Sequence, residues 1–175
     1  MKVLINTSNY NPNSGGIIVM HRLCHLLNEL EFEAYVVRCP EEQIFQLNNP
    51  ILSILKVLRE YLRNLLPLKT NPHFNTPTIK FSRYDYSNDI VIYGEQVIGN
   101  PLNAKRVIRY LLHTPGYHTG KAYYDFDEYH VHWDLGVKRL SFPGQVLHPD
   151  FVKVTYLFNE VYKLPKVLEE RQGSC

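Results

Sequence analysis

Residues 7–16 read TSNYNPNSGG and separate an apolar run at the N-terminus from an amphipathic helical pattern. Free backbone N–H groups at a helix start attract anions and hydroxyls, and adjacent glycines let a ligand come close to the main chain. Gly15 and Gly16 therefore mark a ligand loop, with a plain turn and helix cap as the competing reading. The stretch has neither the GxGxxG spacing of a dinucleotide loop nor the Gly-Lys-Ser/Thr ending of a triphosphate loop. A second group capable of chemistry is His130, His132 and Asp134 in YHVHWDLG. Histidines two apart on a strand face one side and can both reach one ion.

The elements that must position these residues follow from periodicity. Lys2 to Thr7 reads as a buried strand, and Gly16 to Leu30 carries Met20, Leu23, Leu27 and Leu30 on one helix face. Glu33 to Arg38 returns to strand character, which makes a βαβ unit with parallel strands and a right-handed crossover. An α/β, Rossmann-like three-layer sandwich with a mainly parallel sheet is expected. Ile51 to Leu66 is a second helix with Lys56, Arg59 and Arg63 on its polar side. The preferred reading is a crossover helix packed on the sheet; the alternative is a basic helix in peripheral contact with an anionic membrane. Pro67, Pro72 and Pro77 mark a loop, and Thr78 to Ser82 and Asp89 to Tyr93 are short strands.

The stretch from Asn100 to His113 admits two readings. Asn100 could cap a helix with Pro101 in its first turn. Alternatively a single turn ends near Ala104 and Val107 to Leu112 is a buried strand stopped by Pro115 and Gly116. The strand is preferred, because the run is short and begins with two β-branched residues; it would set His113 at the carboxyl end of a strand. Farther on, Glu128 to Trp133 and Val152 to Leu157 read as strands.

Composition bounds the rest. With 175 residues, 45% of them hydrophobic, and a formal charge of +2, the chain suits one globular domain and lacks the strong basicity of a nucleic-acid binder. Its N-terminal apolar stretch is too short for a signal peptide, and no uncharged run approaches ~20 residues, so a cytoplasmic protein is expected. Cys24, Cys39 and Cys175 are odd in number and show no CxxC spacing, which argues against a disulfide framework or a cysteine-built zinc site.

KVLINTSNYNPNSGG with its following helix and His21, together with DIVIYGEQVIGNPLNAKRVIRYLLHTPG, resembles the N-terminal half of GT-B-fold glycosyltransferases, in particular a group that shares the segment from Glu95 to Leu112. The terminal ERQGSC is similar to the start of that group's Arg-x-Gly-x-Cys-Tyr segment. The resemblance implies a single Rossmann-like domain over 1–175, the acceptor-side half, with the nucleotide-sugar site on a second domain in cis or in trans. It implies a sugar or glycan acceptor, a nucleotide-sugar donor as substrate, and no cofactor or metal. Carried over, Gly15 and Gly16 form the cleft-facing loop, and Asn13 and Ser14 add hydrogen bonds to sugar hydroxyls or phosphate. Asn100, Tyr117 and His118 join the substrate-binding residues. Glu95, past the strand that ends at Tyr93, orients an acceptor hydroxyl or acts as base, and His113 is a general base suited to neutral pH.

Two further readings stand beside this one. The first is a non-catalytic Rossmann-like module that binds a sugar or nucleotide, or serves in an interaction. The second is a metal-dependent hydrolase, since His-x-His-x-Asp opens the metallo-β-lactamase-type motif. That pattern breaks at Leu135, and the bland alternative sets His130 and His132 on a solvated strand face with Trp133 inward.

Overall fold

The structure is a computed structural model that describes residues 1–38, 52, 54–55, 58–59, 62, 66–79, 86–118, 120, 122, 124, 127–134 and 147–154, the segment 147–151 by its backbone alone. Cys39, Cys175, the ERQGSC segment, Leu135 and the later parts of the expected strands at 78–82 and 152–157 lie outside the described residues.

Among the described residues, seven parallel strands form one sheet. They are β1 (Val3–Asn6), β2 (Ala34–Val37), β3 (Thr78–Ile79), β4 (Ile90–Gly94), β5 (Arg106–Leu111), β6 (Tyr129–His132) and β7 (Leu147–Phe151). Their order in space is β3-β2-β1-β4-β5-β6-β7. The chain runs outward from β1 to β2 and β3, then returns to the other side of β1 at β4. That reversal makes β1 and β4 the point where the winding changes direction, and open α/β folds hold ligands outside the carboxyl ends of such strands. Val3 pairs with Ala34 on one side and with Ile90 on the other, so β1 is an interior strand, next to the central β4. The architecture is α/β and Rossmann-like.

Helix α1 (Gly15–Glu29) crosses from β1 to β2. Its buried Val19, Met20 and Cys24 pack on Ile5, Val36, Ile92 and Tyr110, which alternate along their strands toward that face. The intervening Leu4, Val37, Val91, Tyr93 and Val107 point to the opposite face, where Tyr86, Leu102 and Ala104 cover them. Residues Tyr86–Asn88 form a turn of 3-10 helix ahead of β4. Asn28 closes the end of α1, with its amide donating to Ala34 O (2.9 Å) and its oxygen accepting from Ala34 N (3.0 Å).

Three features depart from the sequence expectations. The final strand is β7 at Leu147–Phe151, and the described residues Val152, Lys153 and Val154 are not strand. Pro149 falls within β7, the outermost strand among the described residues, and an edge strand tolerates a residue without an N–H. His130 and His132 are not on a solvated face. Both are buried on the face opposite α1, where Glu128 and Tyr124 lie against His130, while Val131 and Trp133 pack toward the α1 side. The third departure concerns the segment 51–66. The described positions Leu52, Ile54, Leu55, Leu58, Arg59 and Leu62 are helical, but none of the apolar ones belongs to either core cluster.

Candidate functional site

The loop after β1 is held at its base and open at its tip. Thr7 N donates to Val37 O (3.0 Å), and Asn9 Oδ1 accepts from both Arg38 Nη2 (2.6 Å) and Lys69 N (3.0 Å). Tyr10 N donates to Lys69 O (2.8 Å), while the buried His21 ring on α1 meets Ser8 O through Nε2 (3.0 Å) and the Tyr10 ring edge-on. Asn11 then makes a side-chain turn, its Oδ1 accepting from Asn13 N (2.9 Å). These bonds consume the loop's inner polar groups and leave Asn11, Pro12 and Asn13 exposed.

Helix α1 starts immediately after this turn. Ser14 is its N-cap in extended conformation, and its hydroxyl makes no capping bond. There is no acidic residue in the first turn. The positive end of the helix dipole therefore has no internal counter-charge on its own element. Neither Gly15 nor Gly16 adopts a positive φ. Gly16 is exposed, and a Cβ there would meet Leu112 Cδ1 at 3.7 Å, an ordinary contact. Folding thus imposes no steric demand for glycine at position 16, although glycine costs helix stability relative to alanine.

Leu112 links that helix start to the acid. Glu95, one residue past β4, is only 6% exposed, and its Oε2 accepts a hydrogen bond from Leu112 N (3.2 Å). His113 follows at the carboxyl end of β5 and is exposed. Its Nδ1 accepts from Thr114 N (2.8 Å), so in the neutral ring the proton resides on Nε2. With that bond the neutral His113 ring presents an Nε2–H donor. Tyr117 and His118 pack on it, with ring centroids 4.3 and 5.1 Å away, and Tyr117 remains 69% exposed. Gly16, Glu95, Leu112, His113, Tyr117 and His118 accordingly share the carboxyl edge of the sheet, with Asn13 and Ser14 beside them at the mouth of α1.

Asn100 is placed elsewhere. Its Oδ1 accepts from Tyr93 Oη (3.0 Å) and Ala104 N (3.0 Å), and its Nδ2 donates to Ala104 O (2.7 Å). The amide is spent on closing the Asn100–Ala104 turn over the second face, beside a shallow depression near the amino end of β5 that Lys105 and Glu128 also line.

Sequence reasoning missed the group that fixes Glu95. Arg109, in the middle of β5, is fully buried and grips Glu128 with two charge-assisted bonds, Nε to Oε2 at 2.8 Å and Nη2 to Oε1 at 2.6 Å. Its remaining N–H groups reach Val97 O (2.7 Å) and Gly99 O (2.9 Å), so the guanidinium holds the loop that carries Glu95. Gly99 has φ +61, a turn geometry that suits glycine. The Arg109 cation lies between the Tyr93 and Tyr124 rings, 5.0 and 4.5 Å from their centroids, and Tyr124 Oη donates to Glu95 O (2.7 Å). Burial pushes the Tyr124 hydroxyl up to about 12, which keeps it a donor at neutral pH. The signal available was Arg109 itself, a charge at an inward position of RVIRYL.

Among the described residues no three His, Cys, Asp or Glu side chains converge to hold a metal ion. His130 lies 3.8 Å from Glu128 through Nε2 and stacks edge-on against Tyr124, which makes it part of the buried Arg109 layer. Comparison with protein-family models, with curated proteins and with solved structures yields no match for this chain.

Proposed function

We propose that the chain is the acceptor-side half of a glycosyltransferase, in which a sugar passes from a nucleotide-sugar donor to a hydroxyl of a sugar or glycan. The observation that carries this reading is the glycine pair at an uncapped helix start, set at the same carboxyl edge of the sheet as the buried Glu95 carboxylate, which Leu112 N holds at the end of β5. Glycine at position 16 relieves no steric strain, so its advantage is access: a hydroxyl or phosphate can come against the amides of the first turn. The residues named for the site at the sequence level assort accordingly. Glu95 accepts the proton of the acceptor hydroxyl as that oxygen bonds to the sugar carbon and the carbon's bond to the donor phosphate oxygen breaks, the nucleotide phosphate leaving with the electron pair; the acid's position is fixed through Leu112 N, Tyr124 and the Arg109 clasp. His113 donates from Nε2 to an acceptor oxygen, and the Tyr117 ring offers a flat apolar face for a sugar ring. Asn13 and Ser14 supply further polar groups at the loop tip. Donor phosphates in such an enzyme are met by helix N-termini and basic side chains, with no bound metal required, and the donor site belongs to a second domain.

Titration of the protein with a panel of sugars and oligosaccharides, nucleotide sugars and free nucleotides, read by calorimetry and by amide shifts of residues 14–17, tests the reading. Saccharides are expected to shift these amides and to lose affinity in Gly16→Val, while nucleotide sugars bind weakly. Tight nucleotide-sugar binding abolished by Gly16→Val would relocate the donor site to this chain. Silence toward every saccharide and nucleotide would remove the proposal.

A further inference from the structure

The described apolar residues of the segment 51–66 make an exposed stripe that belongs to neither core cluster of the described residues. Leu52, Leu55, Leu58, Leu62 and Leu66 follow one another at intervals of three and four, the spacing of one helix face. They are 52%, 54%, 51%, 53% and 66% exposed, and Ile54 beside them is 59% exposed. A crossover helix buries such a stripe against its sheet, and neither core cluster contains any of these side chains. Isolated exposed leucines are ordinary on a protein surface, but six large aliphatics within fifteen residues form a contiguous patch that needs a covering.

Charge selects the covering. The same sixteen residues carry Lys56, Arg59 and Arg63 against one acid, Glu60, and the described Arg59 is exposed. Two copies meeting through this face would bring like charges together, whereas an anionic lipid surface neutralises them while its acyl boundary takes up the leucines. The sixteen residues of the segment, with four charges among them, are fewer than the ~20 apolar ones a spanning helix needs, so the segment would lie along the surface. We infer that the segment 51–66 docks this protein on anionic lipid bilayers, with the Leu52–Leu66 stripe inserted at the headgroup boundary. The inference stands on this face alone and does not depend on the glycosyltransferase reading.

Vesicle flotation with phosphatidylcholine alone, and with phosphatidylcholine containing phosphatidylglycerol, tests it. The protein is expected to float only with the anionic vesicles and to be released by salt. Leu55→Asp together with Leu62→Asp should weaken binding by at least about tenfold, since each buried leucine contributes more than 1 kcal/mol of transfer energy. Arg59→Gln should weaken it by about fivefold, the equivalent of about 1 kcal/mol per cation at an anionic surface. Phe32→Ser, at an exposed aromatic outside the segment, should change nothing. Equal flotation on neutral vesicles, or wild-type flotation of both the leucine and the Arg59 variants, would overturn the inference. So would a wild-type dimer that ignores lipid and dissociates in the leucine double variant, which would identify a second copy as the covering.

Discussion

Replacing Gly16 by alanine separates the two reasons a chain can have for a glycine. Gly16 is the second residue of α1, has no positive φ and would place a new Cβ 3.7 Å from Leu112 Cδ1. The substitution therefore meets no clash, adds a van der Waals contact and removes a glycine from a helix. In a helix interior that exchange is worth about 1 kcal/mol; in the first turn, where fewer hydrogen bonds depend on it, about 0.5 kcal/mol is expected. For a domain of this size, such a gain raises the melting temperature by about 1–2 °C. The added methyl projects into the space a ligand needs above the first-turn amides. Saccharide affinity is expected to fall by about tenfold, measured by the same titration, while urea unfolding shows equal or greater stability. Stability and binding thus move in opposite directions. A loss of more than about 1 kcal/mol in urea would mean that the fold needs this glycine, and the argument from access would collapse. A stabilised variant with undiminished saccharide affinity would refute it equally.

Two further outcomes follow from the buried polar groups. Arg109→Met leaves Glu128 buried without its bidentate partner and frees the carbonyls of Val97 and Gly99, so urea denaturation should register a loss of about 3–5 kcal/mol. Arg109→Met with Glu128→Leu should lose far less than the sum of the two single variants, and simple additivity would contradict a coupled pair. His21 is buried against the loop after β1, and desolvation lowers its pKa below the ordinary 6.5. As pH falls through 6.5 the unfolded chain takes up a proton that the native ring still refuses, so stability is full above that pH and declines below it. The decline contributed by this residue has a slope of at most about 1.4 kcal/mol per pH unit. It should vanish in His21→Gln, and an unchanged pH profile for the urea midpoint would show that other groups govern acid sensitivity.

Alternation and helical spacing made much of the fold legible from local residues. VLIN, AYVV, IVIYG and RVIRYL are short runs in which side chains must serve both faces of a buried sheet, and Met20, Leu23 and Leu27 of the expected α1 stripe pack on the core, whereas Leu30 falls at the helix C-cap and is exposed. The reading of Val107 to Leu112 as strand agrees with β5, and it correctly set His113 at a carboxyl end. The glycine loop was equally visible, because turn formers and a missing side chain are properties of single residues. The strand at Leu147–Phe151 was not, since Pro149 forbids a ladder bond locally and only its edge position makes that harmless.

The amino-acid sequence by itself determined the parallel βαβ opening, the place where α1 begins and the chemical types available there, because each depends on neighbours a few residues apart. Tertiary structure alone decided which of those residues meet. Strand order brings Glu95 to the β5 terminus at Leu112, seventeen residues away, and joins Arg109 to Glu128 across nineteen. It also spends Asn100 on its own turn, buries His130 beside Arg109 and buries His132 farther along β6. The physical reason is that hydrogen bonding and desolvation depend on three-dimensional neighbours. A carboxylate, an amide or an imidazole acquires its role only when packing removes water from it and supplies one partner in particular.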